Sequence, residues 1–321
     1  MAPRHLAAID VGSNAMRLRI VRTSYVYGRH VEVASLRAPV RLGAEVFATG
    51  KISATTLAHA AAAFNRFRDL MDEVGVDAHR GVATSATREA HNGSAVVRAA
   101  RGSGIDLDVI DGEEEARLVR SSLRRVIHLD GRTVTADVGG GSTEVTVFED
   151  EHVVRSTSLP LGTLRLAMQG LDVRAIDRSL TKVSSHIRNA DRFVATGGTA
   201  RALAKICRSG DRDEVLLSDV VRTIERLRAM TDDERIRAYD LRADRADTIV
   251  PGALVIARAA EVAGARAIMV PAAGVRDGIL AELELEHRDL PVRPARLRGK
   301  TLGRCAPASL RSARSRLHQA Q

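Results

Sequence analysis

The sequence predicts an α/β protein built as two related domains that flank a phosphate-binding cleft. Three observations lead there. Strand-type and helix-type periodicities alternate along the chain, the pattern of layered α/β architecture. One strand–turn–strand unit occurs twice: Ile9-Asp10-Val11-Gly12-Ser13-Asn14-Ala15-Met16-Arg17-Leu18-Arg19-Ile20, and at an offset of 127 positions Ala136-Asp137-Val138-Gly139-Gly140-Gly141-Ser142-Thr143-Glu144-Val145-Thr146-Val147. Solenoid repeats are far shorter, so this spacing implies two similar domains. Finally, 321 residues of which 45% are hydrophobic suffice for a core in each.

In chain order, Leu18/Ile20 alternate as in a strand. Ser53 to Val74 reads as a helix: Ser53 is an N-cap, Leu57, Ala60, Ala61, Phe64, Phe67, Leu70 and Met71 form one apolar face, and Gly75 ends it. Gly81 to Thr84 is a short strand. Glu113 to Val126 is a helix whose acidic first turn suits the helix dipole. Val145/Val147 repeat the strand alternation, Phe193 to Ala195 is a further strand, and a helix starts at Thr199. A strand over Ala267 to Val270 and a helix over Asp277 to Glu286 complete the pattern. The predicted domains are 1–128 and 129–286, followed by a basic, disordered tail, 287–321, without sustained apolar periodicity.

The net charge of +9 is uneven. The tail from His287 carries nine Lys/Arg against the single acid Asp289, so residues 1–286 are near neutral. With 2% aromatic residues and no Trp, base-stacking platforms are also missing, which argues against a specific nucleic-acid binder. Cys207 and Cys305 stand in neither a metal nor a redox pairing, as in a reducing compartment. No secretory h-region and no apolar run of membrane-spanning length is read, so a cytoplasmic protein without membrane contact is expected. Oligomeric state is not encoded in any feature, and a homodimer is left open.

The repeated turns are the chemical signal. Glycines let backbone N–H groups approach an anion, so Gly12, Ser13, Asn14 in one turn and Gly139, Gly140, Gly141, Ser142 in the other suit phosphate. Each turn follows an Asp, and a carboxylate beside a phosphate cradle needs a cation between them; Mg²⁺ fits. Gly197-Gly198-Thr199 at a strand-to-helix junction offers further N–H groups. Arg88, after a strand, can hold phosphate bidentately. Of the run Glu113-Glu114-Glu115, at most one faces a cleft and the others are a solvated helix start. There is no P-loop, no Gly-x-Gly-x-x-Gly after a strand, and no metal-spaced histidine pair.

These segments resemble, in order, the motifs of the exopolyphosphatase / guanosine pentaphosphate phosphatase family. They are Asp10-Val11-Gly12-Ser13-Asn14, Ala83-Thr84-Ser85-Ala86-Thr87-Arg88, Gly112-Glu113-Glu114-Glu115-Ala116-Arg117, Asp137 to Glu144, Leu159-Pro160-Leu161-Gly162, Arg245-Ala246-Asp247 with Pro251-Gly252-Ala253, and Gly274-Val275-Arg276-Asp277-Gly278. The resemblance covers about residues 6–286 and implies two actin-like (ribonuclease H-like) domains. It further implies Glu115 as general base across the cleft, Arg88 on the scissile phosphate, and Asp137 and Glu144 as Mg²⁺ ligands. Its substrates are inorganic polyphosphate or guanosine pentaphosphate. This chain departs from the family in having Ala15 where Ser or Thr is usual, and in lacking the helical C-terminal region of long members. Short polyphosphate is therefore the expected substrate. Rival readings are a guanosine pentaphosphate 5′-phosphohydrolase, a sugar kinase or ATPase of the same fold group, and a non-catalytic alarmone- or polyphosphate-binding regulator.

Overall fold

The structure, a computed structural model, describes residues 3–24, 29–207 and 214–287. Of the predicted tail only His287 falls within that range, and Cys305 lies outside the described residues.

The first half of the chain runs β1 (His5–Val11), β2 (Met16–Ser24), β3 (Arg29–Ala38), α1 (Leu42–Thr49), α2 (Ala54–Val74), β4 (Ala78–Ala83), α3 (Ser85–Glu89), α4 (Ser94–Gly102), β5 (Leu107–Val109) and α5 (Gly112–Leu123). The second half repeats the opening: β6 (Arg132–Val138), β7 (Thr143–Glu149), β8 (His152–Leu159), α6 (Thr163–Met168), α7 (Val173–Ile187), β9 (Arg192–Thr196) and α8 (Gly197–Cys207). It ends with β10 (Glu214–Leu216), α9 (Leu217–Arg228), α10 (Asp232–Tyr239), α11 (Ala243–Ala246), α12 (Ile249–Ala263), β11 (Ala267–Met269) and α13 (Val275–Glu286).

Two mixed sheets result, ordered β3-β2-β1-β4-β5 and β10-β11-β9-β6-β7-β8. In each, three antiparallel strands are extended by a parallel one, β1 on β4 and β6 on β9. The sequence repeat is therefore a repeat of topology, and it holds in detail. Register shifts fall between Ile20 and Val21 on β2 and between Val147 and Phe148 on β7, at the same offset of 127. A bulge kept in both copies strengthens local twist at equivalent places.

β1 is buried on both faces. Ala7, Ile9 and Val11 join the core under α2 and α4, which includes Phe64, Phe67 and Met71. Leu6 and Ala8 join a second core made by Leu118 of α5 and Ile279, Leu280 and Leu283 of α13. The predicted division puts α13 with 129–286; its packing puts it on the first sheet, because that face would otherwise bare Leu6, Ala8, Val21 and Val82 to water. The second sheet has its own core, from Val134, Ala136 and Val138 of β6 to Leu180 of α7 and Val255 and Ile256 of α12. α5 lies between the sheets: Leu118 faces the first, while Val119 and Leu123 meet Val194 of the second and Ala273.

The predicted helix starts are accurate where a cap is present. Ser53 accepts from the Thr56 amide at 3.1 Å, and Asp111 accepts from the Glu114 amide at 2.8 Å, so α5 begins at Gly112, one residue before the expected Glu113.

Candidate active site

The turns β1–β2 and β6–β7 face each other across one cavity. Asp10, Gly12, Ser13, Asn14, Glu115, Asp137, Gly139, Gly140, Gly141, Ser142, Gly197 and Gly198 all line it. Gly197 has φ +94, and a Cβ there would come 2.8 Å from the Val138 carbonyl, so only glycine lets α8 start this close to β6.

Antiparallel pairing sets the acidic centre. Asp137 stands directly opposite Glu144 across β6–β7, and like charges at opposed positions destabilise a sheet unless a cation joins them. Glu115 of α5 meets this pair: one carboxylate oxygen from each of the three lies within 4.8 Å of the others. All three are buried. Asp137 accepts from Thr196 at 2.7 Å and Glu144 from Ser158 at 2.8 Å. Oε2 of Glu115 and Oε2 of Glu144 have no hydrogen-bond partner. Burial, with Asp137 alongside, pushes Glu144 up to about 7. Burial, then Glu144, Asp137 and Asp10, push Glu115 well above the usual carboxylate range. Burial likewise raises Asp137. Two orphaned oxygens and three mutually repelling carboxylates form a donor set that fits a divalent cation. Glu115 thus sits beside the Asp137–Glu144 pair, closer than a base expected across the cleft. Of its run, Glu113 is exposed and Glu114 is paired with Arg117 at 2.6 Å.

The first turn repeats this geometry with opposite charge. Asp10 is opposed by Arg17, and the pair is 3.5 Å apart. Arg17 occupies the place that Glu144 occupies in the second copy. It belongs to a set of cavity-lining cations, with Arg201, Arg245 and Arg276, that reading residue types along the sequence did not single out. Arg245 and Arg276 do lie in quoted motifs, and Arg17 is found by the same offset that relates the turns. Burial, and then the neighbouring Arg17 and Arg242, pull Arg245 down to about 10. Burial also lowers Arg201 and Arg276, each with Arg17 nearby. Taken as whole residues, Arg245 is buried, Arg17 and Arg276 are half-buried and Arg201 is exposed, and cations crowded in this way call for an anion.

Three expected contacts are arranged differently. Thr199 is fully buried, its hydroxyl accepting from Arg245, so it reaches the cavity only through that arginine. Arg88 is half-buried and donates to the Ile110 carbonyl at 2.5 Å; its charge acts on Glu115 and Glu144. The Asn14 amide donates across the cleft to the Asp244 carbonyl oxygen at 2.8 Å, leaving Asn14 Oδ1 without a partner.

A second cavity opens beside the first and shares Arg17, Gly198, Arg201, Arg245 and Arg276 with it. Its outer wall carries Arg37, Lys205, Tyr239, Asp240 and Arg242.

The sequence model of the Ppx/GppA phosphatase family matches residues 24–287. Exopolyphosphatase 1 of Mycobacterium tuberculosis is 30% identical over 308 residues, covering 88% of this chain and 89% of that protein. The guanosine-5′-triphosphate,3′-diphosphate pyrophosphatase of Photobacterium profundum is 25% identical and matches 88% of this chain but 60% of its own length. Among solved structures, an exopolyphosphatase from Cytophaga hutchinsonii superposes with a TM-score of 0.80 at 23% identity, over 87% of this chain and 97% of that one. A family member from Aquifex aeolicus gives 0.73 at 24% identity, over 89% and 99%. No described helix is long and apolar enough to cross a membrane.

Proposed function

Since the chain belongs to the Ppx/GppA phosphatase family, an enzyme family, we propose that it hydrolyses the terminal phosphoanhydride of inorganic polyphosphate, favouring short chains. The observation that carries this is the buried Glu115–Asp137–Glu144 cluster at the edge of a glycine-lined, arginine-walled cavity. We assign the paired sheets to the actin-like fold and the protein to the cytoplasm.

Asp137 and Glu144 would hold Mg²⁺, which offsets phosphate charge when bound. The amides of Gly140, Gly141 and Ser142, with those of Ser13 and Asn14, receive the terminal phosphoryl group, while the Gly12 and Gly139 amides close their turns on the Ala15 and Ser142 carbonyls. The amides at Gly197 and Gly198 contribute from the start of α8. Arg17, Arg201, Arg245 and Arg276 meet the phosphates behind it, in the direction of the second cavity. Glu115 orients water and takes its proton. Burial first, and then Glu144, Asp137 and Asp10, raise its pKa; a cation on Asp137 and Glu144 would remove the repulsive part and favour the carboxylate that the base needs. Arg88 tempers the negative charge on Glu115 and Glu144 from behind the site and is our candidate for the scissile phosphate once substrate draws it from Ile110.

The test is phosphate release from short and long polyphosphate and from guanosine pentaphosphate at fixed salt, with and without Mg²⁺. Asp137→Ala and Glu144→Ala should each abolish turnover, since a site with so few protein ligands cannot spare one. Full activity in excess chelator would sink the metal assignment. A higher kcat/KM for guanosine pentaphosphate would replace polyphosphate with the second reading, which the Photobacterium relative favours.

A further inference from the structure

The second cavity is walled by cations, yet one of them is already neutralised by a carboxylate from the opposite half of the molecule. Asp244, on the short helix α11, is ion-paired with Arg37 of β3. Its Oδ2 also takes the Asn14 amide at 3.2 Å, while its backbone oxygen takes the same amide at 2.8 Å. Arg242 stands 3.7 Å from its other carboxylate oxygen. The Asp244 side chain is 11% exposed, so these are desolvated contacts. Arg37 Nε and Asn14 Oδ1 remain without partners in the same spot. Arg37 itself lines the second cavity, and burial together with Arg242 and Arg17 disfavours its charge.

We infer that Asp244 is an internal anion that sets which polyanions the site accepts, by occupying Arg37 and the Asn14 amide in place of the outer phosphates of a longer chain. The inference rests on the hydrolase reading above and concerns length selection alone. A short polyphosphate fills the turns and reaches the inner arginines, leaving the Asp244–Arg37 pair intact. A longer chain extends into the second cavity and meets a cation already engaged. To use Arg37 it has to displace a buried carboxylate, which then loses its partners and faces the incoming phosphates with like charge. The favourable contribution of the added phosphates is therefore reduced at this point, where Lys205 and the exposed Arg242 remain but Arg37 is withheld. Holding the Asn14 amide also fixes that side chain with its oxygen unpartnered, which explains why Asn14 does not present its N–H₂ to the turn it belongs to.

The experiment compares tripolyphosphate with polyphosphate of several tens of units, in Mg²⁺ at one ionic strength, for wild type, Asp244→Asn, Arg37→Ala and the double variant. Asp244→Asn keeps shape and hydrogen bonding and removes the charge. KM for the long substrate should fall by about 3- to 10-fold, with kcat and the tripolyphosphate KM within about two-fold, the size expected when one buried cation is freed for a polyanion. Arg37→Ala alone should change the long-chain KM by less than about two-fold, and added to Asp244→Asn it should cancel the gain. A long-chain KM that rises in Asp244→Asn, or changes equally for both substrates, marks a plain structural strut and overturns the inference. So does a ten-fold loss in Arg37→Ala alone, which would mean that Arg37 already contacts substrate. The single Arg37 variant keeps the test decisive should Asp244→Asn fold poorly. A wild type inactive on both substrates would remove the hydrolase reading and the length filter with it. An active wild type with unmoved ratios removes the filter alone.

Discussion

Glu144 and Arg17 are the same position in two copies of one motif, and they carry opposite charges. Each stands opposite the aspartate that ends the preceding strand. In the first copy the result is the Asp10–Arg17 ion pair; in the second it is two carboxylates that Glu115 joins. The turns and their aspartates were legible in the sequence because glycine-rich turns have few other reasons to recur. The arginines were not, because an arginine becomes a site residue through the fold that buries it, and along the chain it looks like surface charge. Glu115→Gln preserves size and should lower turnover by about 10²- to 10⁴-fold with substrate binding largely kept. If Glu114→Gln has that effect and Glu115→Gln has none, the base is misassigned. The acidic cluster also has a pH signature. Glu144 rises from the ordinary 4.5 to about 7 on folding, so between these values the folded protein holds a proton that the unfolded chain has released. Without a cation, the contribution of this group to stability is greatest below about pH 4.5, falls as pH rises through the window, and levels off above about 7. Mg²⁺ competes with that proton, so the rise in Tm on adding Mg²⁺ should be larger at pH 8 than at pH 5.5. Equal increments at the two values would show that the cluster is not where the cation acts.

At the scale of elements, α5 delivers Glu115 and is held from both sides. Its Leu118 packs with Ile279, Leu280 and Leu283 of α13, its Val119 and Leu123 with Val194 of β9. Arg117 of α5 bonds Glu282 of α13, and Arg80 of β4 bonds the same glutamate at 2.9 Å. The two helices meet at Gly278, where a Cβ would overlap the Leu118 carbonyl and Cα. Gly278→Ala should therefore push α13 off α5, costing about 1–3 kcal/mol of stability, and should lower kcat more than it raises KM by displacing Glu115. Denaturant unfolding and steady-state rates on one preparation test this; an unchanged kcat would show that α5 is positioned from the second sheet alone. Local signals announced α2 through its Ser53 cap and α5 through its acidic first turn, while the Asp111 cap of α5 came from the structure. They did not announce where α13 goes. A short amphipathic helix near the end of a repeat reads as part of that repeat, and only the bare face of the first sheet, assembled from β1, β2 and β4, reveals its seat.

At the scale of the whole molecule, the halves are joined across the cleft by contacts at and beside α1, from its N-cap Arg41 to Phe47. Arg165 of α6 holds Glu89 at 2.6 Å and lies 4.0 Å over the Phe47 ring; Arg41 holds Asp247 at 2.6 Å. The duplicated topology was legible from the repeat, because such a duplication preserves spacing even where side chains diverge. The return of α13 to the first sheet has a consequence for how the protein is made. During synthesis, the first sheet emerges with one face uncovered, and its covering helix follows only after the entire second unit. At about 5–20 residues per second this is a delay on the order of ten to thirty seconds. The second unit, whose core draws on 134–270, is complete first. A fragment ending at residue 128 should bind hydrophobic dyes and aggregate, and supplying residues 270–287 in trans should suppress both; a monomeric, cooperatively folding fragment would contradict this. Until α13 is translated, the nascent first half is expected to carry Leu6, Ala8, Val21 and Val82 without the helix that covers them, a surface of the kind chaperones hold.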